Sequence, residues 1–167
     1  MIALPIDKER TLIYSDSFPA YFGDSPKKHE VIVGIGGNLG DVARTFQGLL
    51  RSFQKGKRVD IISTSPLYLN PAFGYVEQPP FYNAVVRFGW SGGYSELFAY
   101  TSYLERRFGR PRKRAFKNAP RKLDIDILFF GDLKIKRESL EIPHYAWAER
   151  DCVLVPLLLD SYNKGRR

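Results

Sequence analysis

The chain has 167 residues, of which 44% are hydrophobic and 26% charged, a composition typical of one folded domain and not of a disordered segment. Its single cysteine, Cys152, excludes an internal disulfide and a cysteine-based zinc cluster, and two histidines are too few for a histidine-rich metal site. A metal site would therefore depend on carboxylates, which favour magnesium or manganese over zinc.

The net charge of +8 comes from one segment of the chain. Residues 106–122 hold nine of the 26 basic residues and none of the 18 acidic ones, so the remainder is close to neutral. A basic patch this dense predicts a polyanionic partner, either nucleic acid or the phosphates of a small ligand.

The N-terminal residues predict neither a secretory leader nor a membrane anchor. Residues 7–10 are all charged and follow the start too closely for an apolar leader segment. No apolar run approaches the roughly 20 residues that span a bilayer, so we expect a cytoplasmic protein. Residues 1–29 are polar and rich in turn-forming residues, which predicts an extension with at most one added strand ahead of a single domain over residues 30–167.

From residue 30 onward, hydrophobic periodicity predicts the element order β-α-β-β-α-β, followed by a third helix. The predicted strands cover residues 31–35, 59–63, 81–88 and 123–130, and the predicted helices cover residues 41–53, 97–108 and 150–159. Two long loops, 69–80 and 109–120, have the length of functional lids. The order predicts an α+β, ferredoxin-like βαββαβ core, in which an antiparallel sheet is flanked by helices that pack on one of its faces.

The strongest local signal is Asp124-Ile125-Asp126 on the fourth predicted strand. Because side chains alternate along a strand, both carboxylates project from one face, about 6 to 7 Å apart, and repel each other unless a divalent cation binds. Alone, the pair fits equally well a solvated edge neutralised by Arg121 and Lys122. The basic segment that runs into this strand favours a magnesium-bound triphosphate, whose charge arginines stabilise during transfer.

Phe81 and Asn83 share one face of the third predicted strand. An aromatic ring beside an amide is suited to stack on and hydrogen-bond a flat heterocycle, although the pair also fits ordinary surface packing. The glycine-rich segment 34–40 lacks the glycine of a dinucleotide fingerprint at Leu39 and the Lys-Ser or Lys-Thr of a P-loop, so we predict a strand-to-helix turn there. His144 offers a titratable donor, but a lone histidine is more often structural.

Four motifs stand in a fixed order along the chain. They are GGNLGD at 36–41, QPPFYNA at 78–84, PRKLDIDILFFG at 120–131, and Pro143-His144-Tyr145 followed by Arg150. Over residues 31–159 this pattern resembles the 6-hydroxymethyl-7,8-dihydropterin pyrophosphokinase family of folate biosynthesis. The sequence departs from the family at Cys152, where a second aromatic usually covers the pterin, and at Asn118-Ala119, where many members have Trp-Gly.

The resemblance implies transfer of pyrophosphate from MgATP to the pterin hydroxymethyl oxygen, with release of AMP. It implies two Mg²⁺ ions held by Asp124 and Asp126, with ATP and a reduced pterin as small-molecule substrates; we expect no nucleic-acid or membrane partner, and a monomer. The implied catalytic residues are Arg110, Arg121, Asp124 and Asp126. The implied ATP contacts are Glu105, Arg112, Ile127, His144, Tyr145 and Arg150, and the implied pterin contacts are Asn70, Pro71, Phe73, Phe81, Asn83 and Cys152.

Two alternatives compete with this enzyme. Ferredoxin-like RNA-binding modules also combine a basic patch with aromatics on the sheet, but the strand at 81–88 lacks their RNP1-type signature. RNA binding also gives no reason for two carboxylates facing the cations. A metal-dependent nuclease would explain Asp124 and Asp126 but none of the other motifs, so the pyrophosphokinase is the prediction and the RNA-binding module its alternative.

Overall fold

The computed structural model describes residues 1–109, 119–137 and 140–165. Within these ranges the chain forms ten strands and three helices: β1 (Ile2–Pro5), β2 (Thr11–Tyr14), β3 (Ala20–Tyr21), β4 (His29–Gly37), α1 (Val42–Lys55), β5 (Val59–Thr64), β6 (Leu67–Asn70), β7 (Phe81–Trp90), α2 (Tyr94–Arg107), β8 (Asp124–Phe130), β9 (Ile135–Arg137), β10 (Leu140–Ile142) and α3 (Asp151–Gly165). The predicted α+β class is confirmed. None of the described helices is both long and apolar enough to cross a bilayer.

Eight strands form one antiparallel sheet in the order β1-β2-β6-β7-β4-β8. Beyond β6, the same edge of β7 pairs with β5, and β5 in turn pairs with β3. The four strands predicted by periodicity are β4, β5, β7 and β8, whereas β6 and the small β9–β10 hairpin were missed. Strand β6 pairs with the first three residues of β7, so it borders the start of that strand.

The N-terminal segment supplies three strands, although the sequence predicted one at most. The β1–β2 hairpin extends the sheet beyond β6, and β3 adds to β5. These strands have two to four residues each, which is too short for periodicity to identify. The segment also reaches the core, because Ile13 and Phe18 are buried there and the Phe18 ring lies 6.1 Å from that of Phe46.

Helices α1 and α2 pack on one face of the sheet. Helix α1 begins after Asp41, whose carboxylate accepts a hydrogen bond from the Arg44 backbone N–H. Its apolar stripe enters a core shared with α2 and with alternate residues of the central strands. The Phe53 and Phe88 rings, for example, lie 5.2 Å apart across that boundary.

Helices α1 and α2 pack on one face, as predicted for the βαββαβ core, and α3 covers the opposite face, which the sequence did not predict. Its Leu157 packs with Ile32, Val85 and Leu128, one buried residue from each of the three central strands. The neighbouring residues of those strands point into the α1–α2 core. Strands that are apolar on both faces need a second covering layer, and α3 provides it.

A buried ionic cluster ties α3 to the sheet. Asp160, which is fully buried, accepts hydrogen bonds from Arg87 Nε at 2.9 Å and from Ser63 Oγ at 2.6 Å. Arg87 also donates to Glu30 at 2.5 Å. Side chains from β4, β5, β7 and α3 therefore meet in one network beneath the helix.

Candidate active site

The two aspartates of β8 project toward the face that α3 covers. Between and after them, Ile125 and Ile127 are buried in the α1–α2 core, so the strand alternates as its sequence requires. Asp124 is buried at 7% exposure, whereas Asp126 is exposed. The carboxylates thus stand at different depths of one surface, with Asp126 nearer the solvent.

Two glycines form the floor beside these carboxylates. In the antiparallel register Gly36 lies between Asp124 of β8 and Asn83 of β7, and Gly34 lies beside Asp126. A Cβ on Gly36 would come within 3.0 Å of the Asn83 amide oxygen. The missing side chains therefore leave a shallow floor between the carboxylates and Asn83, on which a ligand can lie.

The turn predicted within the glycine-rich segment begins later than expected, because the strand predicted over 31–35 continues to Gly37. Residues 34–37 are the last part of β4, and the turn begins only at Asn38. Pairing with β7 on one side and β8 on the other holds these residues extended. At Gly37 a Cβ would lie 2.5 Å from the Lys122 carbonyl oxygen, so the segment before β8 can pass this point only over a glycine.

Arg121 connects the carboxylates to the aromatic side of the site. Its Nη2 lies 2.7 Å from Asp124 Oδ2, and its guanidinium carbon lies 5.0 Å from the centre of the Phe81 ring. Nη1 donates to the Ala119 carbonyl, whereas Nε is buried and has no hydrogen-bond partner among the described residues. Arg121 is therefore placed to contact both an anion beside the carboxylates and a flat ligand stacked on Phe81.

Asn83 and Asn70 form a polar pair beside Phe81. Asn83 Nδ2 donates to Asn70 Oδ1 at 2.7 Å, and Asn70 Nδ2 donates to the Pro71 carbonyl at 2.8 Å. Asn70 and Phe81 are register partners in β6 and β7. The structure thus brings four of the predicted pterin-binding residues together at one edge of the glycine floor.

Asn38 connects two segments of the site, a role that sequence reasoning missed by assigning this residue only to a turn. Its Nδ2 donates to Gln78 Oε1 and to the Pro79 carbonyl, both at 2.9 Å, and its Oδ1 accepts from the Arg121 backbone N–H at 2.9 Å. The side chain is buried at 6% exposure. The loop before β7 and the segment before β8 are therefore both hydrogen-bonded to the side-chain amide of Asn38.

The edge of the glycine floor that holds Asn70 and Phe81 is one wall of the site. The segment between β10 and α3 forms a second wall. Arg150 donates to the Tyr145 hydroxyl at 3.0 Å, and its guanidinium lies 5.2 Å from the Phe73 ring. The His144 ring lies 4.7 Å from that of Tyr145, and the His144 backbone N–H donates to the Leu128 carbonyl. Phe73 is 70% exposed, so this cation–ring contact lies at the rim of the site.

Two of the predicted site residues, Glu105 and Ile127, stand apart from these two walls. Glu105 is buried, and its carboxylate accepts a hydrogen bond from the Ile125 backbone N–H at 2.8 Å, so it braces β8 from α2. The Ile127 side chain lies in the core, which leaves its backbone for any ligand contact. Arg110 and Arg112 lie outside the described residues.

Cys152, on the first turn of α3, lies in a partly buried position. Burial raises the pKa of its thiol; Arg150 opposes this shift, and Asp126 and Asp151 add to it. Since only the thiolate attacks a disulfide reagent, we expect Cys152 of the folded chain to react at least about tenfold more slowly than in urea near pH 8. Equal rates with a chromogenic disulfide in the folded and unfolded chains would contradict the buried placement.

The donor set fits magnesium held jointly with a phosphate ligand. Among the described residues, no group of three or more His, Cys, Asp or Glu side chains is arranged to hold a metal alone. Asp124 and Asp126 supply carboxylate oxygens on one face, and Mg²⁺ in phosphoryl-transfer sites is held by one or two carboxylates together with substrate phosphates. Two carboxylates leave most positions around Mg²⁺ to phosphate oxygens and water, which is the usual division of ligands in such sites.

Comparison with known proteins gives a consistent result. The family model described as 7,8-dihydro-6-hydroxymethylpterin-pyrophosphokinase matches residues 32–159. The 2-amino-4-hydroxy-6-hydroxymethyldihydropteridine pyrophosphokinase of Helicobacter pylori is 41% identical over 93% of this chain and 98% of its own length. The Campylobacter jejuni protein of the same name is 40% identical over 78% of this chain and 82% of its own.

A longer relative contains the same region as one part. The mitochondrial folate synthesis bifunctional protein of Arabidopsis thaliana is 37% identical over 78% of this chain, which corresponds to 23% of that protein. The region that the family model matches, residues 32–159, includes the glycine floor, both carboxylates and residues 143–152. The chain therefore belongs to the 7,8-dihydro-6-hydroxymethylpterin-pyrophosphokinase family.

Proposed function

We propose that this chain transfers pyrophosphate from MgATP to the hydroxymethyl oxygen of 6-hydroxymethyl-7,8-dihydropterin and releases AMP. The observation that carries the proposal is the cross-strand row of Asn83, Gly36 and Asp124, with Arg121 reaching from Asp124 to the Phe81 ring. This row sets a surface for a flat heterocycle beside a surface for phosphates. Transfer of a group from one ligand to the other requires that the two bind side by side.

The pterin is proposed to lie on the Phe81 and Asn83 side. Phe81 stacks on the ring, and Asn83 reads its polar edge, held in orientation by Asn70. Pro71 and Phe73 form the wall on the loop side. Cys152 contributes a small, partly buried thiol in place of a second ring, so stacking is one-sided.

The triphosphate is proposed to lie on the carboxylate side. Asp124 and Asp126 would hold two Mg²⁺ ions, which when bound neutralise phosphate charge and favour loss of the hydroxyl proton. The pterin oxygen then forms a bond to the β-phosphorus, the bond from that phosphorus to the α–β bridging oxygen breaks, and AMP leaves. Arg121, with Arg110 and Arg112, would stabilise the charge that develops on the transferred group.

The remaining ATP contacts are assigned to the second wall and to backbone. Arg150, Tyr145 and His144 form one connected cluster suited to a nucleotide. Glu105 and Ile127 would act through the position and backbone of β8. We expect the enzyme to work as a monomer in the cytoplasm, without nucleic acid.

The reaction is tested by measuring AMP release from MgATP with and without the hydroxymethyl pterin. Pterin-dependent AMP supports the proposal, whereas ADP would indicate an ordinary kinase. If neither product forms, the pyrophosphokinase assignment fails. RNA binding, which no comparison favours, would then be tested over a range of salt concentrations, because phosphate contacts weaken steeply with salt.

Arg121→Ala is expected to lower kcat by about 10² to 10³, the usual cost of removing one fixed charge that stabilises a transition state. Arg121→Lys serves as the matched variant, because it keeps the charge but loses the fork that reaches phosphate and ring together. Steady-state kinetics with both substrates varied give the result. A rise in the KM for ATP alone, with kcat unchanged, would show that Arg121 binds ATP and takes no part in catalysis.

A further inference from the structure

The loop joining β1 to β2 holds one arginine in a fixed direction. The Ile6 backbone N–H donates to the Arg10 carbonyl at 2.8 Å, which closes the turn. Asp7 Oδ1 accepts from the backbone N–H groups of Glu9 and Arg10, each at 2.9 Å. Asp7 Oδ2 lies 2.6 Å from both Nε and Nη2 of Arg10, so a carboxylate of the same loop fixes the orientation of the guanidinium.

The free end of this guanidinium reaches α3. Arg10 Nη1 donates to Asp151 Oδ2 at 3.1 Å. Asp151 is the first residue of α3 and stands between Arg150 and Cys152, which carry proposed ATP and pterin contacts. The contact therefore acts on the first turn of α3, which directly follows the second wall of the site.

Arg10 lies on the same face of the sheet as Tyr68 of β6, because Tyr68 pairs with Leu12, two residues after Arg10. Burial raises the pKa of Tyr68, and the positive charge of Arg10 opposes this shift. Tyr68 is almost fully buried and is the register partner of Asn83. Strand β2 pairs Thr11 with Leu69, so extending that register by one residue sets Arg10 beside Asn70. One side chain thus contacts α3 on one side of the pterin surface and lies beside β6 on the other.

We propose that Arg10 is a positioning residue that holds the first turn of α3 against β6 and so sets the width of the pterin pocket. The proposal rests on the proposed function of that pocket. An exposed ion pair adds little to stability, but a guanidinium already fixed by Asp7 can set a distance, and small displacements in a site change binding and rate.

The family model does not cover this arginine, because its match begins at residue 32. The alignment with the H. pylori enzyme covers 93% of the chain, so the segment 1–29 is at least partly shared with that relative. Arg10 thus lies outside the region that the family model matches, in the loop between β1 and β2.

The test compares Arg10→Ala, Asp151→Asn and the double variant in the full chain, with Arg58→Ala as control. Arg58 pairs with Glu96 at the opposite end of β7. Replacing Arg58 therefore removes a similarly exposed ion pair that lies away from the site. We expect Arg10→Ala to raise the KM and the equilibrium dissociation constant for the pterin by about five- to tenfold. The KM for ATP and kcat should stay within about twofold, and the double variant should add nothing to the larger single effect.

Arg10→Lys should recover only part of the pterin affinity, because an ammonium lacks the planar fork that reaches Asp7 and Asp151 together. An unchanged pterin affinity in Arg10→Ala, or additive effects in the double variant, would overturn the proposal while leaving the pyrophosphokinase intact. A parallel fall in pterin affinity, ATP affinity and thermal stability would also overturn it, since that pattern indicates a merely structural role. A parent chain without pterin-dependent AMP release would instead refute the proposed function, and this proposal with it.

Discussion

Replacing Asp126 by asparagine is expected to lower kcat by at least about 10³-fold while leaving the fold intact. Asparagine keeps the shape of the side chain but removes the negative charge that would hold magnesium opposite the phosphates. Because Asp126 is exposed on the site face, its replacement should change the free energy of unfolding by no more than about 1 kcal/mol, the upper range for an exposed charge interaction. AMP release and thermal unfolding, measured on the same preparation, separate the two effects.

Asp132→Asn provides the matched control for this experiment. Asp132 follows β8 by two residues and is exposed, so the same change of charge is made near the strand but away from the glycine floor. We expect full activity in the control. Parental MgATP turnover in Asp126→Asn would exclude this carboxylate from the metal site.

Asp160→Asn is expected to lower the free energy of unfolding by about 3 to 5 kcal/mol, the usual cost of removing one partner of a buried ion pair. The neutral amide leaves the Arg87 guanidinium buried between α3 and the sheet without its main counter-charge. For a domain of this size the loss corresponds to roughly 6 to 20 °C in Tm. Urea and thermal unfolding followed by circular dichroism measure it.

Glu30→Gln changes the other carboxylate on Arg87 and serves as the comparison. The Glu30 side chain is 44% exposed, so its loss should cost at most about 1 kcal/mol. Replacing Arg87 and Asp160 together with apolar residues should recover much of the stability lost in Asp160→Asn. A Tm for Asp160→Asn equal to that of the parent would show that the cluster contributes nothing.

The longer elements were predictable because each carries its own periodic signal. Helix α1 shows its buried stripe directly in the spacing of Val42, Phe46 and Phe53, and β7 places a core residue on its α1–α2 face at every second position. Strand β6 and the N-terminal strands were missed because four residues or fewer carry too little pattern. Their pairing depends on partners far along the chain.

The placement of α3 was missed although the sequence contained the signal. Val31 and Ile32 of β4, like Val85 and Val86 of β7, are consecutive buried residues, which indicates strands covered on both faces. The glycine strand failed for another reason. Glycines carry no side-chain pattern, so Gly36 and Gly37 are recognised as strand residues only through their pairing with the neighbouring strands.

The candidate site was predicted as a set of residues but not as a surface. The motifs identified Asp124, Phe81 and Asn83, yet nothing local places Gly36 between them. Asn38 joins residues more than 35 positions ahead of it, and Arg10 reaches a helix 141 positions away. Such contacts arise from the fold, so no reading of neighbouring residues reveals them.

Strands β2 and β3 cover backbone edges of β6 and β5 that would otherwise face solvent. Open strand edges pair readily with other chains, and the outermost strand β1 limits this hazard by being four residues long and ending at Pro5, which has no backbone donor. A chain that lacks residues 1–28 would expose both inner edges and empty the core position of Phe18. Aggregation would then be the first sign that this segment is missing.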